Sequence, residues 1–433
     1  MNQMRVFVKS FGCSTNLADG EVLAGCLVQA GHHLVKSPSE ADIIIYNTCA
    51  VKGPTENRMI EILKRSPPKK KLVVAGCLPL INFERLTREV SFDAAVGPAA
   101  GSNIVDVIAQ VSKGEKVRAV EYSSEPLPAL TLPRVRVNRV ISIVPINYGC
   151  LGSCAYCCVT FARGRLRSYL LEEVVERVKG DLASGACEFW LTSQDTACYG
   201  KDKHTNLAEL LKAVCGIEGE FKVRVGMMTP NTALSILDEL VEAFGDDHVF
   251  KFIHLPMQSG DNGILQKMHR HYSVEDFKKI VKAFRTGLPD ITLSTDVICG
   301  FPSESDEAFK RTLQVVEEVS PDIVNVSKFF ARPRTAAAEM SRDFVPFQEI
   351  KRRSSAAAAL AKKVSLEKNR QWIGWTGEIV IDEVGKVSGS WIGRNFTYKP
   401  IAVKSRKRLL GKVIQVKVVR AFQTHLEGEI IED

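Results

Sequence analysis

The chain of 433 residues has no run of about 18 consecutive apolar residues, so no segment is long enough to span a bilayer as a helix. A strand-like stretch, Met4 to Lys9, begins at once, a start that predicts no signal peptide. The sequence has no internal repeat and no long low-complexity tract, which sets aside solenoid arrays and disordered scaffolds. Cysteine is sparse, 12 in 433 residues, too thin for a disulfide-stapled secreted fold. Free thiols in such a chain suit a reducing, cytoplasmic setting and metal ligation. What remains is ordinary for a globular protein of two to four domains, with 45% hydrophobic and 25% charged residues.

Net charge is +8, and its distribution says more than its size. Residues 350–370 hold seven Lys/Arg against one acid, and residues 371–433 hold ten against seven. The first 349 residues therefore sum to −1, and all the excess positive charge lies in the last 84. A localised basic region is the footprint of a nucleic-acid contact, with a solvated helix face as the plainer alternative.

The order of apolar runs gives an α/β organisation. In residues 1–120, strands at Arg5–Lys9, Asp42–Asn47, Leu72–Gly76 and Asp93–Val96 alternate with helices at Asp19–Ala30, Thr55–Arg65, Leu80–Glu89 and Ser102–Val111, predicting an open parallel sheet with helices on its faces. Residues 121–139 carry three prolines within Ser123–Pro133 and read as a linker. Residues 140–370 hold six further βα units, with strands near 140–146, 188–191, 222–227, 250–255, 292–298 and 322–327. Six units fit a partial (β/α)6 barrel, ending in a basic helix over 345–371. Residues 371–433 turn to short strands separated by Gly, Asn and basic turns, predicting a small antiparallel β-barrel.

The sharpest local signal is Tyr148-Gly149-Cys150-Leu151-Gly152-Ser153-Cys154-Ala155-Tyr156-Cys157. Cys150, Cys154 and Cys157 offer three thiolates to a cubane [4Fe–4S] cluster whose irons want one each, leaving one iron open to a reactant. Zinc prefers four closed ligands, usually from two Cys-x2-Cys pairs, and no second pair lies nearby. Cys158 is adjacent, but its side chain should point away from its neighbour's.

Functional side chains of a barrel gather at the carboxyl ends of its strands. There the sequence places Gln194 and Asp195, then His254 and Gln258, then Asp296, with a turn or cap as the alternative role for Asp195, His254, Gln258 and Asp296. Arg224 lies within a strand and offers a partner for a carboxylate. The first domain repeats the pattern: Cys13, Cys49 and Cys77 each come just after a strand, 36 and 28 residues apart. Carboxyl ends of an open parallel sheet form one crevice, so these three should converge, again with one iron left open. Cys26, Cys187, Cys198, Cys215 and Cys299 read as packing residues.

The Cys150–Cys157 loop, with the aromatic Tyr156 before its last cysteine, resembles the radical S-adenosylmethionine enzymes. Gly-Cys-x-x-Asn at 12–16, Asn-Thr-Cys-x-Val at 47–51, Gly76-Cys77, Ser193-Gln194-Asp195, Leu255–Gly260 and Gly300-Phe301-Pro302 extend the resemblance, over essentially the whole chain, to the methylthiotransferase family. Cys150–Cys154 and Phe161–Tyr169 look like its archaeal and eukaryotic branch, although Cys158-Val159-Thr160-Phe161 and Arg334 depart from that branch's usual Lys-Thr-Lys-His and Gly. The resemblance implies two [4Fe–4S] clusters and S-adenosyl-L-methionine as cofactors, with Tyr156, Gln194, Asp195, Arg224 and Asp296 around the latter. It implies a 5′-deoxyadenosyl radical made at Cys150/Cys154/Cys157, and sulfur methylated at Cys13/Cys49/Cys77 and coupled to C2 of N6-threonylcarbamoyladenosine beside a tRNA anticodon. The last domain would be an RNA-binding TRAM barrel. Lys404–Arg408 and Lys351-Arg352-Arg353 would hold phosphates, and Arg163, Arg165 and Arg167 would guide the anticodon stem-loop. A reductant such as flavodoxin or ferredoxin, a sulfur donor and a monomeric state complete the expectation. Two acceptors stay open as alternatives, an isopentenylated adenosine and a ribosomal-protein aspartate, as does a non-catalytic iron–sulfur RNA-binding protein.

Overall fold

The computed structural model describes residues 3–119 and 127–431. Strands β1 (Arg5–Ser10), β2 (His33–Leu34), β3 (Ile43–Thr48), β4 (Lys71–Gly76), β5 (Ala94–Val96) and β6 (Val117–Ala119) form one parallel sheet in the order β2-β1-β3-β4-β5-β6. β3, Ile-Ile-Ile-Tyr-Asn-Thr, is buried along its whole length, as a central parallel strand covered on both faces must be. β2 and β6 were not expected. They are edge strands of two and three residues, too short to show a periodicity. The helix expected over Leu80–Glu89 is two helices, Leu78–Ile81 and Phe83–Glu89. The break is Asn82, which leaves helical geometry and turns its side chain to cap the Arg85 N–H at 3.3 Å.

Of the expected linker, residues 121–126 lie outside the described residues, and 127–139 form neither helix nor strand. The central domain comes next, with β7 (Ile141–Pro145), β8 (Asn147–Tyr148), β9 (Arg167–Ser168), β10 (Glu188–Thr192), β11 (Lys222–Val225), β12 (Phe252–His254), β13 (Thr292–Cys299) and β14 (Ile323–Lys328). β7, β10 and β11 pair in parallel, as do β12, β13 and β14. A parallel bridge from Val223 to Val249 joins the two halves, giving six strands in chain order. Among the described residues β14 does not pair with β7, so the barrel is partial. Its outer helices are amphipathic: Val274–Gly287 buries Val274, Phe277, Ile280, Val281 and Phe284, the i, i+3, i+4 spacing of a core-facing stripe, behind a Ser273/Asp276 capping box.

The last strands, β15 (Thr376–Val384), β16 (Ser390–Arg394), β17 (Pro400–Lys404), β18 (Val413–Ala421) and β19 (Leu426–Ile430), close a barrel in the order β15-β16-β17-β19-β18. It has five strands, not four, and β17 runs parallel to β19. The fifth was obscured because its inward positions are Leu426 and Gly428, and a glycine weakens the apolar alternation. This barrel sits on the lower, amino-terminal end of the central one. Lys399 Nζ, buried, donates to Asp322 at 2.7 Å and Asn369 at 3.0 Å, and the Tyr398 ring packs on Phe250 and Phe252.

Helix Ser14–Gln29 is the seam between the first two domains. Its Glu21 Oε1 accepts from the Val137 N–H at 2.9 Å, while Oε2 is buried without a donor. Burial pushes this carboxyl up from 4.5 to about 7, against the Val137 bond and the nearby Arg136 and Arg177 charges. An acid raised on folding keeps its proton when the unfolded chain has already lost it, so stability falls as pH rises from 4.5 towards about 7. Glu21→Gln should gain on the native chain across that window, by at most about 1.4 kcal/mol per pH unit, in denaturant unfolding at several pH values. A pH-independent difference would contradict this.

Candidate metal centres at the strand ends

The Cys150 loop is held from both sides. Gly149 has φ +76°, and a Cβ there would lie 2.0 Å from the Arg165 carbonyl, so only glycine fits. Its N–H donates to Gln194 Oε1 at 2.8 Å, and the Cys150 N–H to the Gly164 carbonyl at 3.3 Å. A turn from Cys154 O to Cys157 N at 3.0 Å brings those two cysteines round. Burial pushes the thiols up, Cys150 to about 11 and Cys157 to about 12, and the charge of Cys154 adds to both. Such groups become thiolates at neutral pH only beside a cation, and bound iron is one. The structure also supplies Arg270, whose Nη1 donates to Cys154 Sγ at 3.0 Å while Nη2 is buried with no acceptor.

Cys13, Cys49 and Cys77 stand at the carboxyl ends of β1, β3 and β4, three adjacent strands. Cys13 and Cys77 each begin a helix. Asn47 shapes the crevice: its Oδ1 accepts from Asn16 Nδ2 at 2.8 Å, and its Nδ2 donates to the Asn16 carbonyl at 2.6 Å. The three sulfurs are electrostatic neighbours. Burial, with the charges of Cys49 and Cys13, pushes Cys77 up to about 12, and burial with Cys13 raises Cys49. The cation opposing both is Arg163, from the central domain.

Neither set has its three sulfurs all within 4.8 Å of one another. Tetrahedral zinc, with Zn–S near 2.3 Å, needs thiolates roughly 3.8 Å apart. Both sets are spread too widely for one tetrahedral ion, and three thiolates that do not converge on one point are the kind of donor set a polynuclear cluster takes.

The other sequence candidates divide. Tyr156 lies beside Cys154 and Cys157 with its ring edge-on to Phe301, centroids 6.3 Å apart. Asp195 is buried near Cys150, but Oδ1 accepts from the Ala197 and Thr229 N–H groups and Oδ2 from the Thr232 hydroxyl, the work of a cap. Burial pushes it above the usual carboxylate range, against the Thr229 and Thr232 hydrogen bonds. Asp296 bonds His254 Nε2 and Asn325 Nδ2, both at 2.9 Å. Burial opposes its ionisation most, but His254, Asn325 and Lys52 together outweigh that and hold it below the usual range. Gln258 takes φ +67° and forms an isolated parallel bridge to Val297 of β13.

Three basic residues are placed differently from expectation. Arg224 lies 5.1–5.3 Å from the rings of Trp190, Phe252 and Tyr398, in the lower barrel against the last domain, because its strand position is mid-strand and inward. Arg163 is 3% exposed and cannot guide RNA: its Nη2 donates to Asp19 Oδ2 at 2.6 Å across the domain seam. Arg353 is likewise buried, on Glu304 and Glu349, and Arg352 is exposed but paired with Glu349 and Asp306. Lys404, Arg406, Lys407 and Arg408 are all exposed, and among the described residues no ion pair engages them. Sequence reasoning missed Arg270 and Asp19. The run Met268-His269-Arg270-His271-Tyr272, beyond β12 on the strand-end side, was the available signal for the first. Arg334, with φ +63° where relatives were expected to carry glycine, packs its guanidinium 4.7 Å from the Phe161 ring, so two of the chain's departures touch.

A partial six-strand barrel with a Cys-x3-Cys-x2-Cys loop at its strand ends defines a radical S-adenosylmethionine protein, and the Radical SAM superfamily matches residues 144–316. The uncharacterized protein family UPF0004 matches residues 5–97. A probable threonylcarbamoyladenosine tRNA methylthiotransferase of Pyrococcus horikoshii is 41% identical over 99% of this chain and 100% of its own, and the human threonylcarbamoyladenosine tRNA methylthiotransferase is 33% identical over 99% and 74%. The chain belongs to the threonylcarbamoyladenosine tRNA methylthiotransferase family. Its fold is also that of a radical S-adenosylmethionine methyltransferase, TsrM, from Kitasatospora setae, at TM-score 0.55 and 14% identity over 90% of this chain and 81% of that one.

Cys158 Sγ is buried and turned towards the Ala50 and Val51 carbonyls, 3.9 and 3.8 Å away. Cys158→Ala should therefore keep the iron content of the anaerobically reconstituted chain, whereas Cys157→Ala should lose the share held by its loop. Equal losses would reject this division of the adjacent cysteines.

Proposed function

We propose that this chain methylthiolates C2 of N6-threonylcarbamoyladenosine next to the anticodon of tRNA, using two [4Fe–4S] clusters and S-adenosyl-L-methionine. The observation that carries the proposal is the pair of cysteine triads at the strand ends of two parallel sheets, joined at their seam by Asp19, in a chain of this family. Cys150, Cys154 and Cys157 would hold the radical-generating cluster, and Cys13, Cys49 and Cys77 the one that handles sulfur. Bound there, the clusters and S-adenosylmethionine supply one-electron cleavage to a 5′-deoxyadenosyl radical, and that suits a C2–H bond too strong and too weakly acidic for a base.

The chain's own residues prepare the site. Gln194 fixes the Cys150 loop through Gly149, and Asp195 fixes residues 229–232 beside it. Arg270 takes the role first given to Arg224: its acceptor-less Nη2 beside Cys154 suits the methionine carboxylate. The reductant is a small electron carrier of the flavodoxin or ferredoxin type, and a separate donor renews the sulfur.

Nucleosides from a strain lacking the protein should lose the 2-methylthio form of threonylcarbamoyladenosine by mass spectrometry; an unchanged profile overturns the assignment. With dithionite, Cys154→Ala should form no 5′-deoxyadenosine, while Cys49→Ala should still form it without transferring sulfur. Full product formation by both overturns the division of labour. The phosphate contacts are assigned to the exposed 404–408 loop. Replacing Lys404, Arg406, Lys407 and Arg408 with Ala should weaken tRNA binding and flatten the slope of log K against log salt by about 3. An unchanged slope moves the RNA elsewhere.

A further inference from the structure

Arg163 is a cation in an unusual place. It ends helix Val159–Arg163 of the central domain, which packs on the helix Leu78–Ile81 that Cys77 begins, with Ala162 and Cys77 in one buried cluster of the first domain. It is the cation acting on Cys49 and Cys77 from across the seam. Asp19 is its ion-pair partner, through Nη2 at 2.6 Å. The other Asp19 oxygen accepts the Tyr148 hydroxyl, also at 2.6 Å, so the carboxylate is engaged on both sides and offers Arg163 one oxygen. Arg163 Nη1 is buried with no acceptor at all. A buried guanidinium N–H without a partner costs on the order of 1–3 kcal/mol, so a ligand that satisfies it is strongly favoured.

We propose that Arg163 is the anion-holding residue of the N-terminal triad: its unpartnered Nη1 and its charge retain a sulfur anion, hydrosulfide or methanethiolate, at the position the three cysteines leave open. The inference rests on the reading that Cys13, Cys49 and Cys77 hold a cluster. A cubane carries three thiolates there, and a sulfur anion adds one more negative charge in a crevice that is open at Cys13 and buried at Cys77, where Arg163 is the opposing cation. The central domain thus completes the sulfur site of the first, and Asp19 sets how much of the arginine's charge is available.

The two partners give opposite signs. Removing Arg163 takes a positive charge from the cluster and makes its reduction harder. Removing the Asp19 charge leaves Arg163 less neutralised and makes reduction easier. Damage to the seam alone would move both variants the same way.

The test uses the full chain with Cys150, Cys154 and Cys157 replaced by Ala, so that only the N-terminal cluster assembles. Arg163→Gln and Asp19→Asn are added separately, with Arg163→Lys as the variant that keeps charge but loses the fork. Iron is counted, the midpoint potential is read by electron paramagnetic resonance, and sodium methanethiolate is titrated in as probe. The expected result is about four irons, a more negative potential for Arg163→Gln, a more positive one for Asp19→Asn and an intermediate one for Arg163→Lys. A tenfold change in the one-electron equilibrium corresponds to about 59 mV. Methanethiolate binding should weaken at least tenfold in Arg163→Gln and not weaken in Asp19→Asn. A chain that takes up no iron overturns the two-cluster reading and this inference with it. Four irons with shifts of one sign, or unchanged methanethiolate binding, overturn the inference alone.

Discussion

Asp19 receives both of its short contacts from outside its own domain. Arg163 and Tyr148 reach it from the two ends of the segment that carries the radical-type cysteine loop, and all three are buried. A carboxylate so placed is costly unless paired, and breaking a buried pair typically costs several kcal/mol. That requirement fixes how the crevice of the first sheet meets the mouth of the barrel. Glu56, buried on Arg85 and on Arg332 beyond β14, repeats the device at a second point of the seam. These buried ion pairs sit beside apolar contacts across the same seam, where Leu17 and Ala18 pack with Val140, Ile141 and Ile143, and Ala162 with Cys77 and Leu78.

Much of this was legible in the sequence because strand ends and cysteines carry their own signals. β1, β3 and β4 are apolar runs that stop at Gly-Cys or Thr-Cys, and a parallel sheet gathers the residues just beyond its strand ends into one crevice. The Cys150 loop was legible from spacing. Short pieces escaped: β2 and β6 at an edge, and β19 behind its glycine. The charged residues were the least legible. Arg163 sits in a basic cluster that reads as a surface for RNA, yet it is the most deeply used arginine at the seam. Arg353 reads as part of a solvated basic helix, yet it closes on Glu304. A one-letter code shows the charge but not the acid 144 or 49 residues away that will neutralise it.

Arg224 and Arg270 make the same point as a pair. Both are arginines of the barrel, but only the position relative to strand direction separates a residue of the lower barrel from one at the strand-end mouth. Arg224 is mid-strand and spends its charge on three aromatic faces under the last domain. Arg270 lies beyond the fourth strand and reaches a cysteine.

The buried cysteines have a consequence for the chain before any cofactor arrives. With Cys77 and Cys157 held near 12 by burial, almost none of either is thiolate at neutral pH. The thiolate is the form that attacks disulfides and peroxides. Those two thiols are therefore chemically quiet while protonated, and a metal bound by them would expel their protons to solvent. Metal uptake by these thiols would in that sense be an acid-producing reaction, slowed by low pH and drawn forward by mild alkali.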